Sequence, residues 1–363
     1  MKIIGCDFHP SFQQIAMLDT ATGELVERKL LHPEEATRFY ESLAGEEVVV
    51  GLESMGNTLW FERVLSRLGL TCRIGDALAI RVSNPRKQKT DKRDAEHILR
   101  LLREGRFPQI WVPSIAERDL RQLLKHRHTL VQMRTRIKNQ LQHIALNQGW
   151  QKKRTLWTKS GQQWLSQLEL EPWTKRRRDD LLQMLEEMNR RIAELNTAVE
   201  EAAAQRPEAV LLMSHPGVGP ILALATVLTL GDVSRFPRGK HLASYLGLIP
   251  KEASSGQRRR LGAISKQGNS FMRFLLVQAG LSAARGDAGL GRVYKRLLAQ
   301  RKHHGVAKVA VARLLVVRLY WMLREQKQYP AAVRMQGSPS HPVVAVKAVL
   351  LNGRPASRPS KEG

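Results

Sequence analysis

The chain has 363 residues, room for two or three domains of ordinary size, and 59 Lys and Arg against 33 Asp and Glu give it a formal net charge of +26. That balance argues against an enzyme of small cationic metabolites and for a polyanionic partner, either nucleic acid or an anionic membrane surface. A hydrophobic content of 42% excludes a globally disordered chain, and two cysteines, Cys6 and Cys72, exclude a disulfide framework and a thiolate-only zinc site.

Residues 1–110 read as α/β. The runs IIGCDFH (3–9), FQQIAMLD (12–19) and ELVERKLL (24–31) predict three successive strands joined by short turns, followed by a helix over 33–43. EVVVGLES (47–54) is β-branched and predicts a buried strand. LWFERVLSRLG is amphipathic and helical, with Gly69 as its stop, and TCRIGD (71–76) is a short strand. A basic loop, NPRKQKT, leads into a helix at 91–104. Residues 111–205 read as long helices, and LLQMLEEMNRRIAELNTAVEEA carries heptad-like spacing. That seam suits either a coiled-coil arm used in assembly or an intramolecular helical hairpin. The Trp-bearing stretch between these helices has no clear pattern. Residues 206–335 read as a mainly α domain, in which HPGVGP (215–220) precedes an apolar helix. LGLIPKEASSGQRRRLGAISKQGN (246–269) reads there as a glycine-rich basic loop before the helix FMRFLLVQAGLSAA. From Gln336 to Gly363 the Gly, Pro, Ser and Lys content predicts a mobile tail. The longest clean apolar stretch, 221–230, is about half of what a membrane span needs, and no signal peptide is evident. A reducing cytoplasm is the expected compartment.

Four carboxylates stand out. Asp7 sits in the first strand and Glu53 ends the buried run VVVGLE. Asp91 and Asp94 fall in the first turn of a helix that Thr90 caps. Asp91 and Asp94 share a face, and the stripe continues through Ile98 and Leu101, so that face points toward the sheet. Taken singly, Asp91 and Asp94 are ordinary helix N-terminal charges. An aspartate in an apolar strand and a glutamate ending a buried one are less ordinary. Four converging carboxylates require cations; hard divalent ions suit oxygen donors, and Mg2+ is the expected one.

IGCDFH, LESMGN and KTDKRDA, in that order, resemble the DEDD transposases of bacterial insertion sequences, the 110/1111 family. The resemblance implies an N-terminal RNase H/RuvC-like domain, with Asp7, Glu53, Asp91 and Asp94 as the catalytic Mg2+ ligands. Ser54 and Gly56 depart from the family's more usual Ala-Thr-Gly after the glutamate, which touches no ligand position. LASYLGLIPKEASSGQRRRLGAISKQGNSFMRFLL is similar to the family's C-terminal transposase domain. Counting from Pro250, the nucleophilic serine that the resemblance implies is Ser255, with Ser254 beside it. Arg258, Arg259, Arg260 and Lys266 suit contacts to phosphate, and a hydroxyl nucleophile attacking a phosphodiester needs cations of this kind. Gly217 and Gly219 in HPGVGP suit half of a helix-hairpin-helix, offering backbone N–H groups to phosphate. Basic residues along 115–140, among them Arg121, Arg127, Arg134 and Lys138, add further candidates for phosphate contact.

The resemblance further implies donor and target DNA, an element-encoded guide non-coding RNA, and composite sites in a homo-oligomer, dimer to tetramer. Two other readings fit the residues. A RuvC-like endonuclease such as a junction resolvase has no need of Ser255, and a non-catalytic nucleic-acid scaffold has no need of Asp7 or Glu53.

Overall fold

The structure, a computed structural model, describes residues 1–84, 90–150, 155–253, 260–301 and 303–330. The chain divides into two units, Met1–Pro113 and Ser114 onward.

The first unit is built on a five-stranded sheet. Its elements are β1 (Lys2–Phe8), β2 (Phe12–Asp19), β3 (Leu25–Leu31), α1 (Glu34–Glu41), β4 (Val48–Glu53), α2 (Leu59–Arg67), β5 (Thr71–Gly75), α3 (Ala77–Val82) and α4 (Asp91–Arg103). The strand order is β3-β2-β1-β4-β5. β1, β2 and β3 form an antiparallel meander, whereas β4 and β5 run parallel to β1. β1 is central and buried on both faces, which accounts for its near-continuous apolar run. One face carries Ile4, Cys6, Phe8, Val50 and Leu52 under the α1 and α2 side chains Tyr40, Phe61 and Leu65. The other face carries Ile3 and Ala16 against Ala95, Ile98, Leu99 and Leu102 of α4. α3 has no counterpart among the elements predicted from sequence. It is a six-residue helix whose N-cap Asp76 accepts a bond from the Ala79 amide at 2.8 Å.

Among the described residues the second unit is helical apart from one small hairpin. It comprises α5 (Ile115–Asn147), α6 (Lys159–Gln167), α7 (Pro172–Ala204), α8 (Pro207–Met213), α9 (Pro220–Leu230), α10 (Gly239–Tyr245), β6 (Pro250–Glu252), β7 (Leu261–Ile264), α11 (Ser270–Gly286), α12 (Ala288–Arg301) and α13 (His304–Glu325). α5 opens on a capping box between Ser114 and Glu117 and pairs along its length with α7. The heptad seam of α7 is therefore used within the chain. Leu181 and Leu185 pack with Ile137, Leu141 and Ile144 at one end, and Val199 and Ala203 join the core around Leu124 at the other. The Trp-bearing stretch folds over the first of these ends. Leu156 and Leu165 are fully buried there, and buried Arg178 donates to the Leu165 and Leu168 carbonyls at 3.3 and 2.9 Å, satisfying the end of α6. α9 is buried from Leu222 through Leu230, a helix apolar on all sides at the centre of the unit. α13 lines the same core with Val311, Leu315, Leu319 and Tyr320, whose hydroxyl donates to the Phe236 carbonyl at 2.9 Å. Among the described residues no helix is long and apolar enough to cross a membrane. The tail read at 336–363 lies outside the described residues.

Candidate active site

The acidic edge of the first unit follows from two glycines. Gly5 of β1 and Gly51 of β4 are register partners, so side by side they leave a gap in the side-chain layer. α4 sits down into that gap. A Cβ on Gly5 would lie 2.2 Å from the Ala95 carbonyl oxygen and 2.4 Å from the Leu99 nitrogen, and one on Gly51 would lie 2.6 Å from a Leu102 methyl. Strand side chains alternate between faces, so Asp7, two residues past Gly5, lies on the α4 side. Glu53, two residues past Gly51, comes to the same side at the end of β4. On the helix, Asp91 stands one turn before Ala95. Four helix residues rise about 6 Å and two strand residues about 6.6 Å, so the first turn of α4 arrives over Asp7. Thr90 caps α4, its hydroxyl accepting from the Arg93 amide at 3.4 Å. The positive end of the helix therefore faces the carboxylates.

The side chains that meet there are Asp7, His9 and Asp91, whose potential ligand atoms all lie within 4.8 Å of one another. His9 Nε2 is 3.2 Å from Asp7 Oδ2 and 3.6 Å from Asp91 Oδ1. Asp7 is buried, His9 half-buried and Asp91 exposed. Burial raises the Asp7 carboxyl above its ordinary range, the nearby His9 imidazole pulls it back, and the Asp94 and Asp91 charges push it up further. Asp94 therefore acts on Asp7 electrostatically, although it and Glu53 fall outside the 4.8 Å group. Sequence reasoning missed His9, which it took only as the last residue of the first strand run. The signal available was its position, one residue past the end of β1 and two past a strand aspartate.

In the second unit, the stretch 246–269, expected as one long loop, forms a two-stranded hairpin. β6 pairs with β7, Ser265 N–H donates to the Ile249 carbonyl at 2.8 Å, and Ala253 N–H to the Arg260 carbonyl at 2.9 Å. Its base is held by backbone packed on backbone. Cβ atoms on Gly247 and Gly268, both at positive φ, would lie 2.2 Å from the carbonyl oxygens of Gln267 and Tyr245. Arg273 reaches back from α11 to the Leu246 carbonyl at 3.2 Å and also bonds the Gln267 carbonyl. Lys266 adopts φ +57 and is exposed at this base. Ser255, Arg258 and Arg259, like Ser254, lie outside the described residues; Arg260 is described and exposed.

The glycines of HPGVGP do different work. Gly217, at φ +84, packs so closely on α11 that a Cβ would lie 2.4 Å from the Ala283 nitrogen. Its conformation answers a packing need. Gly219, the N-cap of α9, has open space where a side chain would be. Several basic residues of α5 are likewise used internally. Arg121 donates to the Leu228 carbonyl at 3.1 Å, Arg127 to Asn196 at 2.9 Å and Arg134 to Asn189 at 3.4 Å, and Lys138 lies over the Trp157 ring.

Comparison with known proteins decides the family. A DEDD transposase model of the IS110 type matches residues 4–149, the span that holds Asp7, Glu53, Asp91 and Asp94. A second model, described as Transposase IS116/IS110/IS902 family, matches residues 209–295, the span that holds the hairpin. The chain belongs to the IS110/IS1111 family of transposases. It is 23% identical over 342 residues to the transposase for insertion sequence element IS1111A of Coxiella burnetii, covering 91% of each chain. It is 26% identical over 282 residues to the transposase for IS1328 of Yersinia enterocolitica, covering 77% of this chain and 84% of that one. An IS110 protein of 43.6 kDa from Streptomyces coelicolor is 31% identical over 147 residues, 39% of this chain and 35% of that one.

As a family transposase this chain is a DNA recombination enzyme, and its family points to use of a divalent cation. The acidic edge fits such an ion. Buried Asp7 feels the charges of Asp94 and Asp91, which one imidazole offsets in part, so the local charge calls for a cation.

Proposed function

We propose that this transposase cuts and rejoins DNA through the acidic edge of its first unit and the hydroxyl of Ser255. The observation that carries the proposal is the seating of α4 on Gly5 and Gly51, which brings Asp7 and Asp91 together on one side of the sheet. The strand order, antiparallel on one side of β1 and parallel on the other, supports an RNase H/RuvC-like reading of that unit.

Asp7, Glu53, Asp91 and Asp94 are the residues that would hold Mg2+. An ion there supplies Lewis-acid stabilisation of charge on a phosphodiester. The Ser255 oxygen attacks the DNA phosphorus and gives its proton to solvent, while the bond to the 3′ oxygen breaks and that oxygen takes a proton from solvent, leaving a 3′-hydroxyl and a 5′-phosphoserine link. Attack of another strand's 3′-hydroxyl on that link rejoins the DNA and frees the serine, with no net loss of phosphodiester bonds. Arg258, Arg259, Arg260 and Lys266 hold the transferring phosphate, with the planar forks of the arginines matched to its oxygens. Gly219, open at the start of α9, offers a further backbone contact to DNA.

The charge of +26 leaves capacity for a second polyanion beside DNA. We assign that place to an element-encoded guide RNA that pairs with donor and target. The protein acts in the bacterial cytoplasm as a dimer to tetramer with composite sites.

A covalent-adduct assay tests this reading. The protein is expressed with its native flanking DNA, DNA is isolated under denaturing conditions, and the attached peptide is mapped. A phosphoserine at 255, absent in Ser255→Ala and in Asp7→Ala, is the expected result. DNA cut without attached protein, and cut equally well by Ser255→Ala, points instead to a metal-dependent nuclease. Function unchanged in Asp7→Ala and Glu53→Ala points to a scaffold.

A further inference from the structure

The acidic edge contains a group that the four-carboxylate reading does not use. His9 follows β1 directly, and Phe12 holds both its backbone and its ring. Its amide donates to the Phe12 carbonyl at 2.9 Å across the β1–β2 turn. Its imidazole stacks on the Phe12 ring at 4.5 Å between centroids and 20° between planes. Phe12 in turn carries Lys29 Nζ at 4.0 Å from its centroid. The ring thus has its orientation set by neighbours outside the acidic group, and Nε2 is the atom turned to both carboxylates.

The spacing is that of ligands around one ion. Donors about 2.1 Å from a common octahedral centre lie about 3.0 Å apart when adjacent and about 4.2 Å apart when opposite. His9 Nε2 stands 3.2 Å from Asp7 Oδ2 and 3.6 Å from Asp91 Oδ1, and the three ligand atoms fall within 4.8 Å of one another. Small inward shifts of the half-buried imidazole and the exposed Asp91 close the set, while buried Asp7 anchors it.

We propose that His9 is a nitrogen ligand of the cation held at this edge, joining Asp7 and Asp91 in a site of mixed oxygen and nitrogen donors. The proposal rests on the metal reading above. Imidazole is a softer donor than a carboxylate. A mixed set therefore holds Mn2+ more tightly than Mg2+, by a larger margin than an all-oxygen set does.

Mn2+ alone, at one equivalent on the full chain, is the probe. Electron spin echo modulation detects nitrogen bonded to Mn2+, and the same sample gives the affinity by titration. Directly coordinated nitrogen is expected in the unaltered protein. His9→Ala and His9→Gln should remove that signal, with Mn2+ affinity falling about tenfold or more and Mg2+ affinity falling less. Phe12→Ala should keep the nitrogen signal but weaken Mn2+ binding, because the ring loses its support. Two results overturn the proposal: no nitrogen modulation in the unaltered protein, or Mn2+ bound as tightly or more tightly by the His9 variants. Either would make His9 a neutralising group that the ion displaces. Undiminished Mn2+ binding by Asp7→Ala would instead sink the acidic-edge reading itself, and the two failures are thereby distinct.

Discussion

Two buried aspartates, one in each unit, show opposite ways of keeping a carboxylate out of water. Asp287, at the junction of α11 and α12, is fully provided for. Arg318 Nη1 lies 2.8 Å from Oδ2, the Tyr329 hydroxyl donates to the same oxygen, and the Leu290 amide donates to Oδ1 at 2.6 Å. Burial alone would raise this carboxyl, but those bonds outweigh it and hold it down to about 2. Asp7 has the reverse surroundings. Its neighbours are Asp91 and Asp94, one imidazole offsets them, and its carboxyl is pushed upward. A buried carboxylate with its own arginine is part of the framework, whereas one placed among other carboxylates is left to bind something from outside. Near Asp287, His215 lies 3.5 Å from Arg318 and meets the Tyr329 ring at a tilt of 53°, and Tyr329 N–H donates to Ser214. That network ties the turn before α9 to the end of the described chain.

The largest expected effect sets the two apart. Asp7→Asn should lower strand transfer by about a thousandfold or more, the scale of losing a principal electrostatic element of a site. It should leave the metal-free protein as stable as before, or more so, because a like-charge contact is removed. Strand-transfer rate and urea unfolding on one preparation check both halves. Asp287→Asn should do the opposite, costing about 3 kcal/mol of stability by leaving the half-buried Arg318 without its counter-charge. A melting curve unchanged from the parent would sink that contrast. Gly5→Ala comes next. A methyl 2.2 Å from the Ala95 oxygen has to lift α4, costing about 1–3 kcal/mol, and should weaken Mn2+ binding as Asp91 moves off Asp7. Stability lost with Mn2+ affinity intact would show that α4 is not what assembles the edge.

The acid limb of stability sharpens the comparison further. Asp287 has a folded value of about 2 against an ordinary 3.8, so the unfolded chain binds more protons between those values. Its contribution is complete above about 4 and is lost as the pH falls through about 2. Acid unfolding should therefore be flatter across that window in Asp287→Asn. The smallest effect is expected of Tyr329→Phe, about 1 kcal/mol, because Arg318 and the Leu290 amide still hold the carboxylate. A loss as large as that of Asp287→Asn would make the tyrosine, and not the arginine, the main partner.

Much of the fold was readable from local pattern. The strand-forming run FQQIAMLD, the β-branched run before Glu53 and the Thr90 cap each mark an element whose preference is set by its own residues. α3 was not readable, since its six residues carry too little periodicity to separate it from the basic loop that follows. The hairpin at 250–264 was read as loop, because its strands have three and four residues and are held by Gly247, Gly268 and Arg273 contacts remote from the strands themselves. At the acidic edge the carboxylates were legible as residue types out of place in apolar surroundings. His9 was not, because a histidine after a strand has no meaning until the neighbouring helix is in position.

By itself the sequence determined where carboxylates stand in apolar surroundings and which of the longer stretches are strand or helix, because those follow from side-chain type and spacing of 2 or 3.6. Tertiary structure alone decided which of them meet. The register that sets Gly5 beside Gly51 lets α4 descend, and the descent of α4 brings Asp91 to Asp7 and His9. The same level of structure decided that the heptad seam of α7 closes on α5 and that Gly217 serves packing on α11. Burial and close approach depend on what comes to lie opposite a residue, and the residue's own neighbours in the chain carry no record of that.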